Sequence, residues 1–278
     1  QGLGGVSAGP FLLHKRNAAM RLSIDVTLDY VVKDPADILL QIEAAATPDQ
    51  RLEHQSLTIW SDHAVTAVAG EEGIGQRCWV RADHGLIARY EAIVAIDRPM
   101  VRLEGLGATP ARGLGGALIP YLLPSRYCES DRLEGFVRRR FGGLSGGAMA
   151  AALADWVGTR LIYQAGTSSG VTTALDTFGS RSGVCRDYAH LLVALARAAE
   201  IPARCVAAYA PGVDPPDFHA VAELWLEGGW HLVDATGMAR ADEIAKVCIG
   251  RDATDIAFMT VFGEAQLCDQ RVTVKRLD

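Results

Sequence analysis

Three residues in the second half of the chain have the types and order of a nucleophilic triad: Cys185, His219 and Asp234. Cys185 stands in Gly183-Val184-Cys185-Arg186-Asp187-Tyr188-Ala189-His190, where a turn of small residues gives way to a strongly helical run. A thiol at a helix N-terminus faces unpaired backbone N–H groups and the positive end of the helix dipole. Both favour the thiolate, the form that attacks a carbonyl carbon. A histidine to take or hold the proton, and a carboxylate to orient that histidine, complete the set. The chemistry expected is acyl transfer through a cysteine.

Each residue also has a plainer reading. Cys185 alone would be a small buried hydrophobe, His219 a packing or capping side chain, and Asp234 the start of the turn at Ala235-Thr236-Gly237. The combination is far less expected by accident than any member. His190, five residues after Cys185, falls on the side of the helix and reads as a structural hydrogen-bonding residue. Asp187 supports the first helical turn through the dipole and is expected to pair with Arg186 or Arg204. Trp225 and Trp230 read as core or cover. Glu223 reads as structural, and Tyr209 fits either the site mouth or the core.

The elements that must position the triad follow from periodicity. After Cys185, Ala189, Leu192, Val193, Ala196 and Ala199 recur at three- and four-residue steps, so one helix face is apolar. Pro202 ends that helix. Three strands follow: Arg204–Tyr209, Ala220–Leu226 and Trp230–Asp234. A reversal at Leu226-Glu227 would set His219 directly opposite Asp234. A turn at Gly228-Gly229 would instead pair Asp234 with Glu223, leaving His219 roughly 13 Å away along the strand. The triad requires the nearer reversal, or a bulge. Upstream, Ser130–Phe141 with Ser130 as cap, Ala148–Ile162 and Thr173–Thr177 read as helices.

Residues 20–102 alternate polar and apolar, with strands expected at Arg21–Tyr30, Leu52–Trp60, Ala64–Ala69, Gln76–Val80 and Gly85–Ile96. Asp34–Ala46 reads as one or two helical turns, and the glycine-rich stretch Gly105–Gly116 as a linker. The expected fold is α+β: a β-rich, antiparallel sandwich-like domain over 20–115 and a catalytic α+β domain over 116–278. Residues 1–19 show no periodicity. Gln1-Gly2 is what a protease leaves after removing a purification tag, so this stretch reads as an expression leader with Met20 as the natural start.

Composition bounds the function. The 278 residues are 49% hydrophobic and 22% charged, and the net charge of −6 is spread without blocks. That argues against a nucleic-acid partner, which calls for a basic face. No apolar run reaches the roughly 18 residues of a membrane span. The six cysteines, at 78, 128, 185, 205, 248 and 268, form no CxxC pair and no zinc-ligand spacing. No cofactor or metal is expected. With no secretory signal pattern, the expectation is a cytoplasmic protein with reduced thiols.

The run GVCRDYAHLLVALARAAEIPARCVAAY and the later DFHAVAELWLEGGWHLVDAT resemble the bacterial transglutaminase-like family of the papain-like cysteine superfamily. Tyr121-Leu122-Leu123-Pro124-Ser125-Arg126-Tyr127-Cys128 resembles the segment that opens such domains. The resemblance covers about 120–240. It implies Cys185 as nucleophile, His219 as general base and then acid, Asp234 as the orienting carboxylate, and a thioester acyl-enzyme formed from a peptide or other amide. Water would complete hydrolysis; an amine would give transamidation instead. A non-catalytic binding module on the same scaffold is the third reading. Ala235 stands where the family usually has proline, Ala220-Val221 lacks the aromatic often beside the histidine, and there is no calcium loop. The backbone N–H of Cys185 is the first oxyanion donor expected. For the second, Tyr163, Gln164 and Thr173 stay open.

Overall fold

A computed structural model describes residues 19–61 and 63–277. All but the last residue of the expected leader lies outside the described residues. The architecture is α+β.

The first half is built from six strands: β1 (Met20–Val32), β2 (Ala36–Leu40), β3 (Gln50–Trp60), β4 (Thr66–Ala69), β5 (Gln76–Ala82) and β6 (Gly85–Ile96). In β1 the alternation seen in the sequence becomes strict burial of Leu22, Ile24, Val26 and Leu28. The stretch read as helical turns is instead β2. Ile38 and Leu40 bury on one face while β2 pairs with β5, and that pairing overrides any local helical preference. The glycine-rich segment does not hang free. It forms short 3-10 turns, and the carbonyl of Leu106 accepts from Gly147 N at 2.9 Å.

The second half opens with α1 (Glu134–Phe141) and α2 (Gly146–Arg160), then the two-residue strand β7 (Ile162–Tyr163) and α3 (Ala174–Ser180). Ser130 lies in a separate 3-10 turn and does not cap α1. Next come β8 (Ser182–Gly183) and α4 (Cys185–Ala198). The sheet that follows takes β9 (Ala203–Tyr209), β10 (His219–Leu226), β11 (Gly229–Val233) and β12 (Ala245–Gly250) in the order β11-β10-β9-β12, all antiparallel. Ala222, Leu224 and Leu226 of β10 share one core with Leu191, Leu192 and Leu195 of α4.

After α5 (Ala253–Ile256) the chain leaves this sheet. The strands β13 (Met259–Phe262) and β14 (Ala265–Leu277) return to the first half, β13 against β2 and β14 along the whole of β1. The two sheets there are β14-β1-β6-β3 and β13-β2-β5-β4. The sequence boundary at 116–278 placed these strands with the catalytic half. They escape the periodicity reading because β14 is largely solvent-facing, with Val272 its one buried residue, and its sequence is correspondingly polar. Among the described residues, no helix is long and apolar enough to cross a membrane.

Candidate active site

Cys185 is the first residue of α4, and Val184 before it is extended. The carboxylate of Asp187 reaches back to accept from Val184 N at 2.8 Å and takes a second bond from Arg186 at 3.1 Å. Its charge is thereby committed to holding the helix start, and of the two partners expected from the sequence it takes Arg186. Gly183 is required by this arrangement, since a Cβ there would stand 2.6 Å from the Asp187 Cβ. The first turn is therefore fixed from both sides, and Cys185 is held half-buried at its tip.

The hairpin that carries the other two residues turns at Glu227-Gly228, both with positive φ (49° and 80°), as a two-residue hairpin requires. Trp225 pairs with Trp230 and Leu226 with Gly229. This register falls midway between the two considered from the sequence. Continued past the end of β11, it sets Asp234 level with Val221, one diagonal step from His219 and on the same face. The step is short enough: His219 Nε2 lies 2.9 Å from Asp234 Oδ2. Neither a direct cross-strand pair nor a bulge is needed.

Asp234 is saturated by donors. Its Oδ1 accepts from Thr236 N (2.9 Å) and Thr236 Oγ1 (2.7 Å), and its Oδ2 also accepts from Ala239 N at 3.0 Å. Burial works against the charge, but the His219 and Thr236 bonds outweigh it and hold the carboxyl below its ordinary value. With Nε2 on Asp234, His219 Nδ1 is buried and makes no hydrogen bond. The Cys185 thiol stands at its side, close enough to act on its proton affinity. Burial alone would lower the imidazole; Asp234 and Cys185 together overcome that and push it up to about 9. Cys185 and His219 open into one cavity of about 360 Å³. The structure thus brings together all three residues singled out in the sequence.

A family model described as the transglutaminase-like superfamily matches residues 137–235, a span that contains all three. A candidate cysteine protease from Cytophaga hutchinsonii, known from its crystal structure, superposes with a TM-score of 0.88 at 32% identity, over 94% of this chain and 92% of that one. The chain belongs to the transglutaminase-like superfamily. An uncharacterized protein of Mycobacterium leprae is 24% identical over 217 residues, covering 75% of this chain and 68% of its own.

Other residues of this superfamily member sort by what they touch. Of the three residues left open in the sequence as a second donor, Tyr163 is the one placed beside Cys185. The β7–β8 pairing sets Tyr163 level with Gly183, and its hydroxyl lies beside both the thiol and the backbone N–H of Cys185. Burial and the neighbouring Cys185 push the phenol up to about 12. Gln164 points to solvent, and Thr173 caps α3 through its bond from Asp176 N. A parallel pair of two-residue strands leaves no periodicity to read, so only the upstream position hinted at Tyr163. His190 is structural: its Nε2 accepts from Ala253 N at 3.0 Å, its ring stacks on Tyr127, and burial holds it down at about 4. Glu223 is engaged by Arg204 (2.7 Å) and Lys246 (3.3 Å), and Trp230 covers the Arg204 guanidinium at 4.1 Å. Tyr209 lies in the core, donating to the Ile42 carbonyl. Among the described residues, no cluster of three or more His, Cys, Asp or Glu is placed to hold a metal ion.

Proposed function

We propose that the protein is a cysteine-dependent amide or peptide hydrolase working through Cys185, His219 and Asp234. The observation that carries this reading is the buried imidazole held between Asp234 and the Cys185 thiol. The likeness to a candidate cysteine protease over nearly the whole chain supports it.

In the reaction, the Cys185 sulfur attacks the scissile carbonyl carbon and the C=O electron pair moves onto oxygen. The backbone N–H of Cys185 and the Tyr163 hydroxyl donate to that oxyanion, where negative charge develops in the transition state. His219, an imidazolium stabilised by Asp234, gives its Nδ1 proton to the leaving amine as the C–N bond breaks. The acyl group remains as a thioester. Water then attacks it, His219 takes the water proton, and the acid departs as the thiolate returns. Asp234 holds Nε2–H throughout, so Nδ1 always faces the sulfur.

The test is release of free acid and amine from peptide amides by the wild type and by Cys185→Ala. Turnover should vanish in the variant with little change in melting temperature, because a half-buried first-turn thiol contributes little core area. Incorporation of an added primary amine in place of hydrolysis would assign acyl transfer instead. Turnover that survives in the variant contradicts the proposal.

A further inference from the structure

The cavity at Cys185 has a wall that the triad does not explain. It is formed by Ala207 of β9, Val247 of β12, and Ile256, Ala257, Phe258 and Met259 from the segment that leads out of the catalytic sheet. All six side chains are apolar. The polar groups that border the same space are engaged in part, with Arg186 Nε buried and unpartnered. Gln41, buried, accepts from Arg77 Nε at 2.7 Å and donates to the Asp255 carbonyl. Arg186 is bonded to Ser169 O and Asp187, and Asp217 accepts from Phe218 N and Gln270. A charged or amide side chain placed against the six apolar residues would lose water and gain no partner from them. An apolar one would be favoured by leaving water.

The wall is held rigidly. His190 receives Ala253 N, Asp252 receives Tyr127 N, and Phe258 stacks on Phe218 with ring centroids 4.2 Å apart. Met259 begins β13, where it pairs with Leu40 of β2. The β-rich half therefore supplies one side of the cavity through Gln41 and Met259.

We propose that this cavity is a side-chain pocket for an apolar residue on the acyl side of the scissile amide, so that the substrates are peptides or amides with an aliphatic or aromatic side chain at that place. The inference rests on Cys185 being the nucleophile. The acyl group stays bonded to its sulfur through the thioester, and the pocket opens at that sulfur. A volume of about 360 Å³ accommodates leucine, methionine or phenylalanine.

The experiment is cleavage of internally quenched peptides varied on both sides of the bond, by the full chain. Leucine, methionine or phenylalanine on the acyl side should exceed glycine by about 10-fold or more in kcat/KM, the scale a hydrophobic pocket supports. Ala257→Phe, which fills the pocket, should shrink that ratio about 10-fold. Met259→Glu should shift preference towards lysine or arginine, a gain that misfolding cannot mimic. Cys185-dependent cleavage with a polar preference, with no side-chain preference, or with an apolar preference only on the amine side overturns the pocket and leaves the hydrolase reading standing. Cleavage that survives Cys185→Ala, or no cleavage of any peptide, overturns both.

Discussion

His219 is the residue on which the proposed chemistry turns, and its environment sets a pH profile. Held at about 9 by Asp234 and Cys185 against the opposing effect of burial, the imidazolium persists through neutral pH and loses its proton on the alkaline side. The alkaline limb of kcat/KM should therefore lie near 9. Asp234→Asn removes the carboxylate that raises the imidazole, so that limb should move down by one unit or more while the overall rate falls. An unmoved limb would mean that another group controls it. Tyr163 gives the second prediction at this scale. Tyr163→Phe deletes one proposed oxyanion donor and should lower kcat by about 10²-fold, in the range known for such donors. KM should change little, because the bond strengthens only in the transition state.

At the scale of elements, the start of α4 and the β10–β11 hairpin do the positioning. Asp187 caps α4 from inside its own first turn, so Asp187→Ala leaves Val184 N–H unpaired. The expected cost is about 1–2 kcal/mol of stability, read as a lowered denaturant midpoint. The same variant should slow alkylation of Cys185, since the first turn frays where the thiol sits. Much of this was legible beforehand. The three- and four-residue repeat after Cys185 marked α4, alternation marked β1, and β9 and β10 were expected within a residue of their observed starts. The hairpin register was not, because Leu226-Glu227-Gly228-Gly229 offers several reversals and only the positive φ of Glu227 and Gly228 selects one. The strand β2 was missed because five residues between turns carry too little pattern. The strand β14 was missed because an edge strand with one buried residue carries no apolar face. Tyr163 was one candidate among three, since the two-residue bridge that sets it beside Cys185 depends on a partner 20 residues away in sequence.

Over the whole molecule, the two halves are joined by strands and by buried charge. The strand β14 returns from the second half to pair along β1. A network runs from Glu72 through Arg204 to Glu223 and Lys246, and on to Asp49 and Arg98. Glu223→Ala would leave Arg204 and Lys246 buried with less compensation, so a loss of about 3–5 kcal/mol is expected, as for other broken buried pairs. Asp49 and His219 both contribute to the fold's pH limits. Burial opposes ionisation of Asp49, yet Arg98, Thr47 and Lys246 hold it down at about 2 against an ordinary 3.8. Its contribution is full above about 4 and is lost as pH falls towards 2. For His219, raised from 6.5 to about 9, the stabilisation is full below about 6.5 and is lost as pH rises through 9. Melting temperature should decline on both flanks, and Asp234→Asn should flatten the alkaline one. A wild-type profile flat from pH 6.5 to 9 would contradict the His219 assignment.

The most direct test of the Cys185–His219 pair is iodoacetamide labelling from pH 5 to 9, read at each cysteine by mass spectrometry, in the wild type and in His219→Ala. Cys268 is exposed and serves as an internal reference, while Cys78, Cys128, Cys205 and Cys248 are buried. Cys185 should label well ahead of Cys268 at pH 6, and His219→Ala should abolish that lead. Labelling of Cys185 at the pace of Cys268, unchanged in the variant, would mean that the thiol is not activated and would contradict the account.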